Sequence, residues 1–364
     1  MKANLEEILS HFRLEGSVQS VEPFGNGLIN DTFLVRTTGP SYVLQRINHN
    51  IFKDVDLLQG NIEAVTAHLR GKLEKEGVPD IERKVLMFVP LKDSERTYYK
   101  CGEGDEVSYW RVSVFIKDSV TFDLVDEKYC LFAGKAFGQF EANLADLPVQ
   151  LGETIPHFHD MELRLRQLDD AVRDGIQERV AEGEVQELLS QIEEDRFEMT
   201  LAERANRDGR LQKRVCHCDT KVNNMLFSKE GDVLCVIDLD TVMPSYVFSD
   251  FGDFLRTAAC STAEDEPDTS KIHFRMDIFK AFAKGYIEGT KSFLTPTEKD
   301  LLPYAALLFP FMQAVRFLTD YLVGDTYYKI SYPTHNLVRA RAQMALYQSA
   351  RSHRDEMKEI ISKL

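Results

Sequence analysis

Short runs of β-branched and aromatic residues, separated by Gly or Pro, recur through the first third of the chain. They predict strands at 18–24, 31–37, 42–47, 82–88, 97–100 and 109–116. Between the third and fourth runs, residues 55–74 repeat apolar side chains at helical spacing. One stripe of this segment carries Leu57, Leu58, Ile62, Val65 and Leu69. The pattern predicts a strand-rich region that contains one long helix.

From about residue 120 the pattern becomes mainly helical. Long amphipathic or apolar segments at 126–144, 182–206, 298–322 and 336–363 predict helices. Between the second and third of them, two short apolar runs at 225–228 and 233–237 predict a β-hairpin. A strand-rich region followed by a larger helical one predicts an α+β fold of two lobes, 1–117 and 118–364, joined at residues 115–118.

The chemistry-bearing residues cluster around the predicted hairpin. His217, Asp219 and Asn224 have the offsets of the kinase catalytic loop, in which a metal-binding Asn follows a base Asp by five positions. Asp238 follows the second strand, so the hairpin should bring it to the same end as Asn224. Phosphoryl transfer needs a carboxylate that orients the attacking hydroxyl and oxygen ligands for Mg²⁺. We therefore predict Asp219 as the catalytic base, and Asn224 and Asp238 as metal ligands with Asp240 as a helper.

A glycine pair falls between the first two predicted strands, where kinases place the loop that covers the phosphates. Gly25, Asn26 and Gly27 are predicted to contact the nucleotide there. A lone Gly-x-Gly motif is weak evidence for a nucleotide site. It counts here because of its position between the first two predicted strands. With this loop the two predicted lobes correspond to the bilobal architecture of protein kinases: 1–117 binds the nucleotide, 118–364 is catalytic, and Phe115 in the hinge contacts adenine.

The lysine of the third kinase strand is absent. Gln45 stands in its place, Arg46 should face the other side of the strand, and Glu63 on the following helix is placed to meet residue 45. Gln45 is assigned a weak phosphate or pairing role, or none, and Glu63 is placed with it on the nucleotide side. Whether Gln45 or Arg46 replaces the lysine stays open. Lys221, two residues after Asp219, is predicted to meet the phosphate charge instead.

Three other motifs are set aside. Asp250 begins a literal Asp-Phe-Gly, but no predicted strand leads into it, so we expect Asp250 and Asp253 to cap a helix that begins near Phe251. The Cys216–Cys218 and His157–Asp160 stretches lack the ligand spacing of zinc sites. Zinc is not expected at either.

Composition restricts the partners and the cellular compartment that we expect for the protein. The 364 residues carry a net charge of −15, which disfavours nucleic acid as a partner because phosphate contacts need a basic surface. The 6 cysteines have no framework spacing and indicate reduced thiols. No signal core and no run of about eighteen apolar residues is apparent. We expect a cytoplasmic protein without a membrane partner, and a monomer.

These residues together resemble the aminoglycoside phosphotransferase and choline kinase superfamily. More narrowly, the chain is similar to bacterial N-acetylhexosamine 1-kinases over nearly its whole length. The narrower resemblance rests on residues 24–27, 42–45, 110–111, 155–160, 219–224, 237–244, 250–253, 316–322 and 332–339. The last two segments, Arg-Phe-Leu-Thr-Asp-Tyr-Leu and Tyr-Pro-Thr-His-Asn-Leu-Val-Arg, are the most specific.

The resemblance implies an ATP- and Mg²⁺-dependent sugar kinase that phosphorylates the anomeric C1 hydroxyl of GlcNAc or GalNAc. It also implies that Asp219, Arg316 and Tyr327 grip the sugar. At one family sugar-binding position a histidine is replaced by Leu28, and an aromatic residue of the family is Thr257 here. These departures leave the reaction type intact and the preferred hexosamine open.

Two alternatives remain. The chain could phosphorylate another small alcohol, namely choline, an aminoglycoside, homoserine or methylthioribose; a choline site would require an aromatic cage, which the sequence does not locate. A catalytically inactive pseudokinase that serves as a binding module is favoured by the missing lysine and opposed by the complete set of Asp219, Asn224 and Asp238.

Overall fold

The computed structural model of the protein describes residues 4–25, 29–121 and 126–364. The strands are β1 Val18–Pro23, β2 Asp31–Thr37, β3 Tyr42–Ile47, β4 Tyr98–Cys101, β5 Ser108–Val114, β6 Arg214–Cys216, β7 Met225–Phe227, β8 Val233–Val236 and β9 Met243–Ser245. The helices are α1 Leu5–Ser10, α2 Val55–Lys75, α3 Glu127–Leu144, α4 Met161–Asp174, α5 Gln177–Val180, α6 Gly183–Met199, α7 Leu201–Arg207, α8 Phe248–Ala258, α9 Met276–Thr290, α10 Pro296–Asp300, α11 Leu302–Val323, α12 His335–Ser352 and α13 Arg354–Lys363.

The first five strands form one antiparallel sheet in the order β1-β2-β3-β5-β4. Alternate residues of a strand face opposite sides, and the buried face carries Val35, Leu44 and Val112, which pack with Ile8 and Leu9 of α1. Five of the six predicted strands and the predicted helix at 55–74 are confirmed by this sheet and by α2. The helix α1 was not predicted.

The predicted strand at 82–88 is wrong. Ile81–Arg83 form a short 3₁₀ helix, and Phe88 makes only an isolated bridge with Ser113 of β5. The backbone N–H of Val89 donates to the carbonyl of Val112 at 2.8 Å, so the segment follows β5 without forming a ladder. Its apolar residues fill the core beside the sheet, which explains the misleading pattern.

Three of the four predicted long helices are interrupted. The segment 182–206 is divided at Thr200, 298–322 at Leu301 and 336–363 at His353. The Thr200 hydroxyl donates to the carbonyl of Phe197 at 2.9 Å, a local bond that competes with the helical ladder. Hydrophobic spacing continues across each break, so the sequence pattern merges the two pieces. The helices α4 and α9 were not predicted.

A row of glycines brings α3 and α9 into backbone contact. A Cβ atom on Gly138 would lie 2.7 Å from the carbonyl oxygen of Tyr286, and one on Gly289 would lie 2.6 Å from that of Lys135. Gly134 and Gly285 approach the opposite backbone still more closely. Only residues without a Cβ permit this spacing, so the four glycines fix how the two helices cross.

The predicted hairpin is confirmed as β7 and β8, which pair antiparallel with Met225 opposite Val236. Among the described residues one helix, α11, is long and apolar enough to cross a membrane by length and composition. About four-fifths of its apolar window is buried inside the structure, as in the core helix of a folded domain (78%).

The chain divides into two compact units. The first contains the five-stranded sheet, α1, α2 and the segments Asp146–Pro156 and Met225–Met243, and the second contains α3, His157–Asn224 and Pro244–Leu364. A small β-rich part and a larger helical part confirm the predicted α+β class. The boundary at residue 117 stays a prediction.

Candidate active site

The predicted catalytic loop lies in the helical unit, directly after β6. Asn224 ends a short 3₁₀ helix, and its Nδ2 donates to the backbone oxygen of Asp219 at 2.7 Å and to the Asp219 carboxylate at 3.1 Å. These bonds use the nitrogen of the amide and leave its oxygen, Oδ1, as the atom suited to a cation. Carboxylate and amide oxygens are hard ligands of the kind that Mg²⁺ prefers.

Lys221 balances the charge of Asp219. The two side chains are 2.6 Å apart, and 20% of the Asp219 side chain and 44% of the Lys221 side chain are exposed. Burial tends to raise the pKa of Asp219, but Lys221, His217 and Asn224 together hold that pKa below its ordinary value. Burial likewise opposes the charge of Lys221, whose pKa is nevertheless raised, chiefly by Asp219 and Asp253. Asp219 is therefore an ionised carboxylate that solvent can reach.

The prediction that Asp250 and Asp253 cap a helix is wrong. The helix α8 begins at Phe248, and Asp250 lies inside its first turn. The Asp250 carboxylate accepts the backbone N–H groups of His217 and Cys218 at 2.8 and 2.7 Å. Asp253 accepts that of Thr220 at 3.1 Å. Both carboxylates thus hold the backbone of the catalytic loop.

A buried carboxyl group lies behind Asp250. Glu141, Cys216 and Asp250 place one side-chain ligand atom each within 4.8 Å of one another, and the three are buried. Burial, and then the charge of Asp250, raise the pKa of Glu141 well above its usual range, and the Tyr286 hydroxyl donates to Glu141 at 2.7 Å. A carboxyl group that retains its proton is a poor metal ligand. Through Asp250, the cluster adjoins the backbone N–H groups of the catalytic loop.

The predicted nucleotide-side residues lie in the β-rich unit. Gly25 has φ +74°, a conformation that glycine adopts at little cost. Asn26, Gly27 and Leu28 lie outside the described residues. The rings of Phe24 and Phe115 are 5.9 Å apart in an edge-to-face arrangement. These two aromatic rings offer an apolar surface of the kind that a nucleotide base requires.

Position 45 has a cationic neighbour that sequence reasoning missed. Arg111 is opposite Gln45 in the sheet, and its Nε donates to Gln45 Oε1 at 3.0 Å. Arg46 instead pairs with Asp31 at 3.6 Å, where both side chains are exposed. Glu63 accepts the Thr97 hydroxyl, and none of the side-chain contacts that the described residues make joins it to Gln45.

Arg111 also binds the turn that follows β8. Asp238 takes a left-handed conformation (φ +59°, ψ +58°) and begins that turn. Asp240, two residues on, pairs with Arg111 at 2.6 Å, and both side chains are almost fully buried. Asn30 donates to the same carboxylate at 2.7 Å. Asp240 is therefore engaged by protein groups. A single arginine within the apolar strand 109–116 was the signal that could have revealed this pair.

Arg316 lies in an aromatic setting in the helical unit. Its guanidinium carbon is 5.5, 6.0 and 5.7 Å from the ring centres of Phe158, Tyr327 and Tyr328. Its Nη1 donates to Gln313 Oε1 at 3.1 Å, and Gln313 in turn donates to the Tyr328 hydroxyl at 3.2 Å. Sequence reasoning predicted Arg316 and Tyr327 but missed Phe158, Gln313 and Tyr328.

The surroundings of this aromatic group are cationic. Burial, and then the charges of Arg316 and Arg164, push the pKa of His159 well below its usual range. Burial and the charge of Arg316 also lower the pKa of Arg164 to about 10. Arg256 interacts electrostatically with both Lys221 and Tyr328, which links this region to the catalytic loop. The region thus combines aromatic faces with guanidinium donors.

Comparison with known proteins agrees with this arrangement. The profile of the phosphotransferase enzyme family, APH, matches residues 20–276, which is more than half of the chain. The chain belongs to this family. It is therefore a phosphotransferase-family protein with the protein-kinase-like fold that the two predicted lobes indicated.

Solved structures show the same fold at low identity. An aminoglycoside phosphotransferase from Alicyclobacillus acidocaldarius is 12% identical, with a TM-score of 0.63 over 100% of this chain and 98% of that one. A microcompartment-associated aminopropanol kinase is 15% identical, with a TM-score of 0.57 over 96% and 97%. A choline kinase from Cryptosporidium parvum is 13% identical, with a TM-score of 0.55 over 93% and 90%.

Proposed function

We propose that this chain is an ATP-dependent kinase that phosphorylates the anomeric C1 hydroxyl of N-acetylhexosamines. The observation that carries the proposal is Arg316, a half-buried guanidinium among three aromatic rings. No carboxylate forms an ion pair with it within the described parts of the chain. A guanidinium that is not neutralised donates well to neutral hydroxyl and acetamido oxygens, because its donors are fixed in one plane.

The reaction is a direct transfer of the γ-phosphoryl group to the sugar. Asp219, ionised at neutral pH, accepts a hydrogen bond from the C1 hydroxyl and takes its proton late, because the transition state is loose. Lys221, beside Asp219, offers a positive charge to the transferred group. Asn224 and Asp238 are the proposed oxygen ligands of Mg²⁺, which would neutralise charge on the phosphates. Gly25 to Gly27, Gln45, Glu63 and Phe115 remain the proposed nucleotide-side residues.

A second candidate is a kinase of a cationic alcohol, because the similar structures include kinases described as acting on aminopropanol and choline. The positive charges beside the aromatic rings of Phe158, Tyr327 and Tyr328 oppose such a substrate. An ammonium substrate would need the aromatic faces, yet Arg316 already occupies the space near Phe158, Tyr327 and Tyr328. Arg164 adds a second positive charge close by.

An acceptor panel tests the proposal directly. GlcNAc, GalNAc, glucose, galactose, choline, ethanolamine and an aminoglycoside would be compared by ATP consumption at equal enzyme concentration. We expect the two acetamido sugars to give the highest kcat/KM and a product phosphorylated at C1. Turnover of a cationic alcohol with no turnover of either acetamido sugar would reject the substrate assignment and retain the kinase.

Two substitutions test the predicted sugar contacts. Losing a hydrogen bond to a charged group costs about 1.5–3 kcal/mol, or roughly ten- to hundredfold in kcat/KM. We expect Arg316→Ala, and to a smaller extent Tyr327→Phe, to raise the sugar KM with little change in the ATP KM. The measurement is a pair of saturation curves, one for each substrate.

Arg204→Ala is the matched control. Arg204 lies over the ring of Phe197 with its guanidinium carbon 3.9 Å from the ring centre, so it has a similar arginine–aromatic contact in the same unit. This variant should leave both KM values unchanged. An unchanged sugar KM in folded Arg316→Ala and Tyr327→Phe would remove these two residues from the sugar site.

A further inference from the structure

A buried carboxylate, Asp320, organises the segment that carries Tyr327 and Tyr328. Asp320 is 4% exposed and lies in the last turns of α11. Its Oδ1 accepts the backbone N–H groups of Thr326 and Tyr327 at 2.9 and 2.8 Å, and its Oδ2 accepts that of Tyr328 at 2.9 Å. Asn336 Nδ2 adds a bond to Oδ2 at 2.9 Å. Three consecutive N–H groups thus converge on one side chain.

The chain reverses between Asp320 and these donors. Gly324 ends α11 with φ +102°, and Asp325 follows with φ +60°, so both residues are in the left-handed region. The Asp325 carboxylate accepts from Asn336 Nδ2 at 2.9 Å and pairs with Arg179 at 2.6 Å. Asn336 is fully buried and donates to both Asp320 and Asp325. It therefore stabilises the reversed segment.

The reversal matters because of where Arg316 lies. Arg316 and Asp320 are four residues apart on α11, and residues at this spacing share one helix face. Drawing residues 326–328 back onto that face brings the rings of Tyr327 and Tyr328 to within 6.0 Å of the Arg316 guanidinium. The bonds that Asp320 accepts thus hold the segment that places these two rings beside the guanidinium.

We propose that Asp320 is a positioning residue for the phosphoryl acceptor, and that it controls acceptor affinity by fixing Tyr327 and Tyr328 against Arg316. In this proposal Asp320 does not contact the acceptor, because both of its carboxylate oxygens accept hydrogen bonds from residues 326–328. This inference rests on the proposed function in that it takes Arg316 and Tyr327 as acceptor contacts. It applies to whichever acceptor the panel identifies.

The test uses two variants of the full chain. Asp320→Asn keeps the size of the side chain but turns one acceptor oxygen into a donor that faces backbone N–H groups. Asp320→Glu keeps the charge and displaces it by one methylene. We expect Asp320→Asn to raise the acceptor KM about tenfold or more while the ATP KM changes less than about twofold. Asp320→Glu should recover part of the loss.

Asp195→Asn serves as the matched control. Asp195 is a buried carboxylate in the same unit, 6% exposed, and its ion-pair partner at 2.8 Å is Arg351, which is not one of the proposed acceptor residues. Its substitution should lower the melting temperature without separating the two KM values. A loss of the same kind in Asp195→Asn would show that general destabilisation, and not the segment, is the cause.

Hydrogen exchange supplies a readout that needs no turnover. In the wild type the amides of Thr326, Tyr327 and Tyr328 should be protected, and in folded Asp320→Asn they should exchange faster than those of α12. If the variants do not fold, the same amides are followed in the wild type with GlcNAc, GalNAc or the acceptor found by the panel. Slower exchange with acceptor and no change with ADP alone supports the proposal.

The outcomes separate this inference from the proposed function. Faster exchange at residues 326–328 with an unchanged acceptor KM would overturn the positioning role and leave the kinase intact. Wild-type protein that phosphorylates a different alcohol would reject the hexosamine assignment, and Asp320→Asn would then be judged on the KM of that alcohol. If no variant folds, the wild type decides. Exchange at residues 326–328 that does not change when the acceptor binds would then overturn the inference.

Discussion

Asp219 and Asp250 are two carboxylates of the same unit whose surroundings are opposite. Asp219 is one-fifth exposed, pairs with Lys221 and has a lowered pKa. Asp250 is fully buried, and burial raises its pKa although His217 and two backbone N–H groups oppose that shift. Asp219 keeps its charge where a substrate can reach it. The Asp250 oxygens instead accept hydrogen bonds from the backbone of the catalytic loop.

The difference teaches that the sequence context of an aspartate does not reveal its task. Asp250 stands in a literal Asp-Phe-Gly, yet its side chain is enclosed by protein donors. Asp219 stands in a turn-like stretch, where aspartate is common for local reasons, yet its environment keeps a usable negative charge. The neighbours of a carboxylate, and not its motif, decide whether it supports the fold or the chemistry. The following substitutions are designed to break this distinction.

The largest contrast is expected between Asp238→Ala and Asp250→Ala. Loss of a proposed metal ligand should abolish activity, whatever the change in melting temperature. Loss of Asp250 leaves the N–H groups of His217 and Cys218 buried without a partner, at about 1–3 kcal/mol each. Thermal melts and steady-state rates on both proteins make the comparison.

Asp250→Asn is the companion variant, since it retains one acceptor oxygen and the size of the side chain. It should recover part of the lost stability. A folded and inactive Asp250→Ala together with an active Asp238→Ala would mean that the metal role had been given to the wrong carboxylate.

A smaller but still large effect is expected for Asp219→Asn. The variant keeps the shape and loses the charge that orients the hydroxyl, so kcat should fall about 10²-fold or more, as positioned acid–base groups contribute roughly that. ADP binding, measured by calorimetry, should survive. Because the pKa of Asp219 is lowered, its charge is lost only as pH falls through a value below the ordinary aspartate range of about 3.9. No loss of kcat above that range should therefore arise from Asp219.

Asp170→Asn provides the control, because Asp170 is an exposed aspartate of α4 that pairs with Arg173 on the surface. It should behave as wild type in both rate and ADP affinity. Turnover of Asp219→Asn within a few-fold of wild type would contradict the catalytic assignment.

The smallest effect is expected for Glu141→Gln. A glutamine resembles the protonated carboxyl group, so at a pH below the ordinary glutamate pKa of about 4.3 the free energy of unfolding should change by about 1 kcal/mol or less. Since the folded-state pKa of Glu141 is raised, its stabilising contribution is present at low pH and is lost as pH rises through that pKa. Wild type should therefore lose stability relative to Glu141→Gln as pH increases. Denaturant titrations at several pH values would measure the difference, and a large destabilisation by glutamine at neutral pH would show that Glu141 is ionised.

Local features were well predicted from the sequence. The strands at 31–37 and 42–47, the helix from Val55 and the hairpin after Asn224 were each found close to their bounds. In these segments the hydrophobic period and the turn residues agree, and neither depends on a remote partner. The offset between Asp219 and Asn224 belongs to the same class, because five residues of one loop bring the two side chains together.

Features that depend on distant residues were not predictable. Asp250 was misassigned because its partners, His217 and Cys218, lie in another element. Arg111 and Asp320 interrupt apolar segments, which indicates a buried charge that must be paired, but nothing in the sequence identifies Asp240 or the N–H groups of 326–328 as the partners. The helix break at Thr200 follows from a local bond that leaves the hydrophobic spacing unchanged.

The glycine contact between α3 and α9 has a consequence for how the helical unit assembles. The two helices are separated in the sequence by residues 145–275, and their backbones touch with no side chain between them. Contacts between remote segments form late, because the entropy of closing the intervening chain must be overcome first. During synthesis the glycine-lined face of α3 lacks its partner until α9 emerges, and that face stays open to other chains until then. Slowing of translation between the two helices would lengthen that interval, whereas the β-rich sheet has already acquired its first five strands.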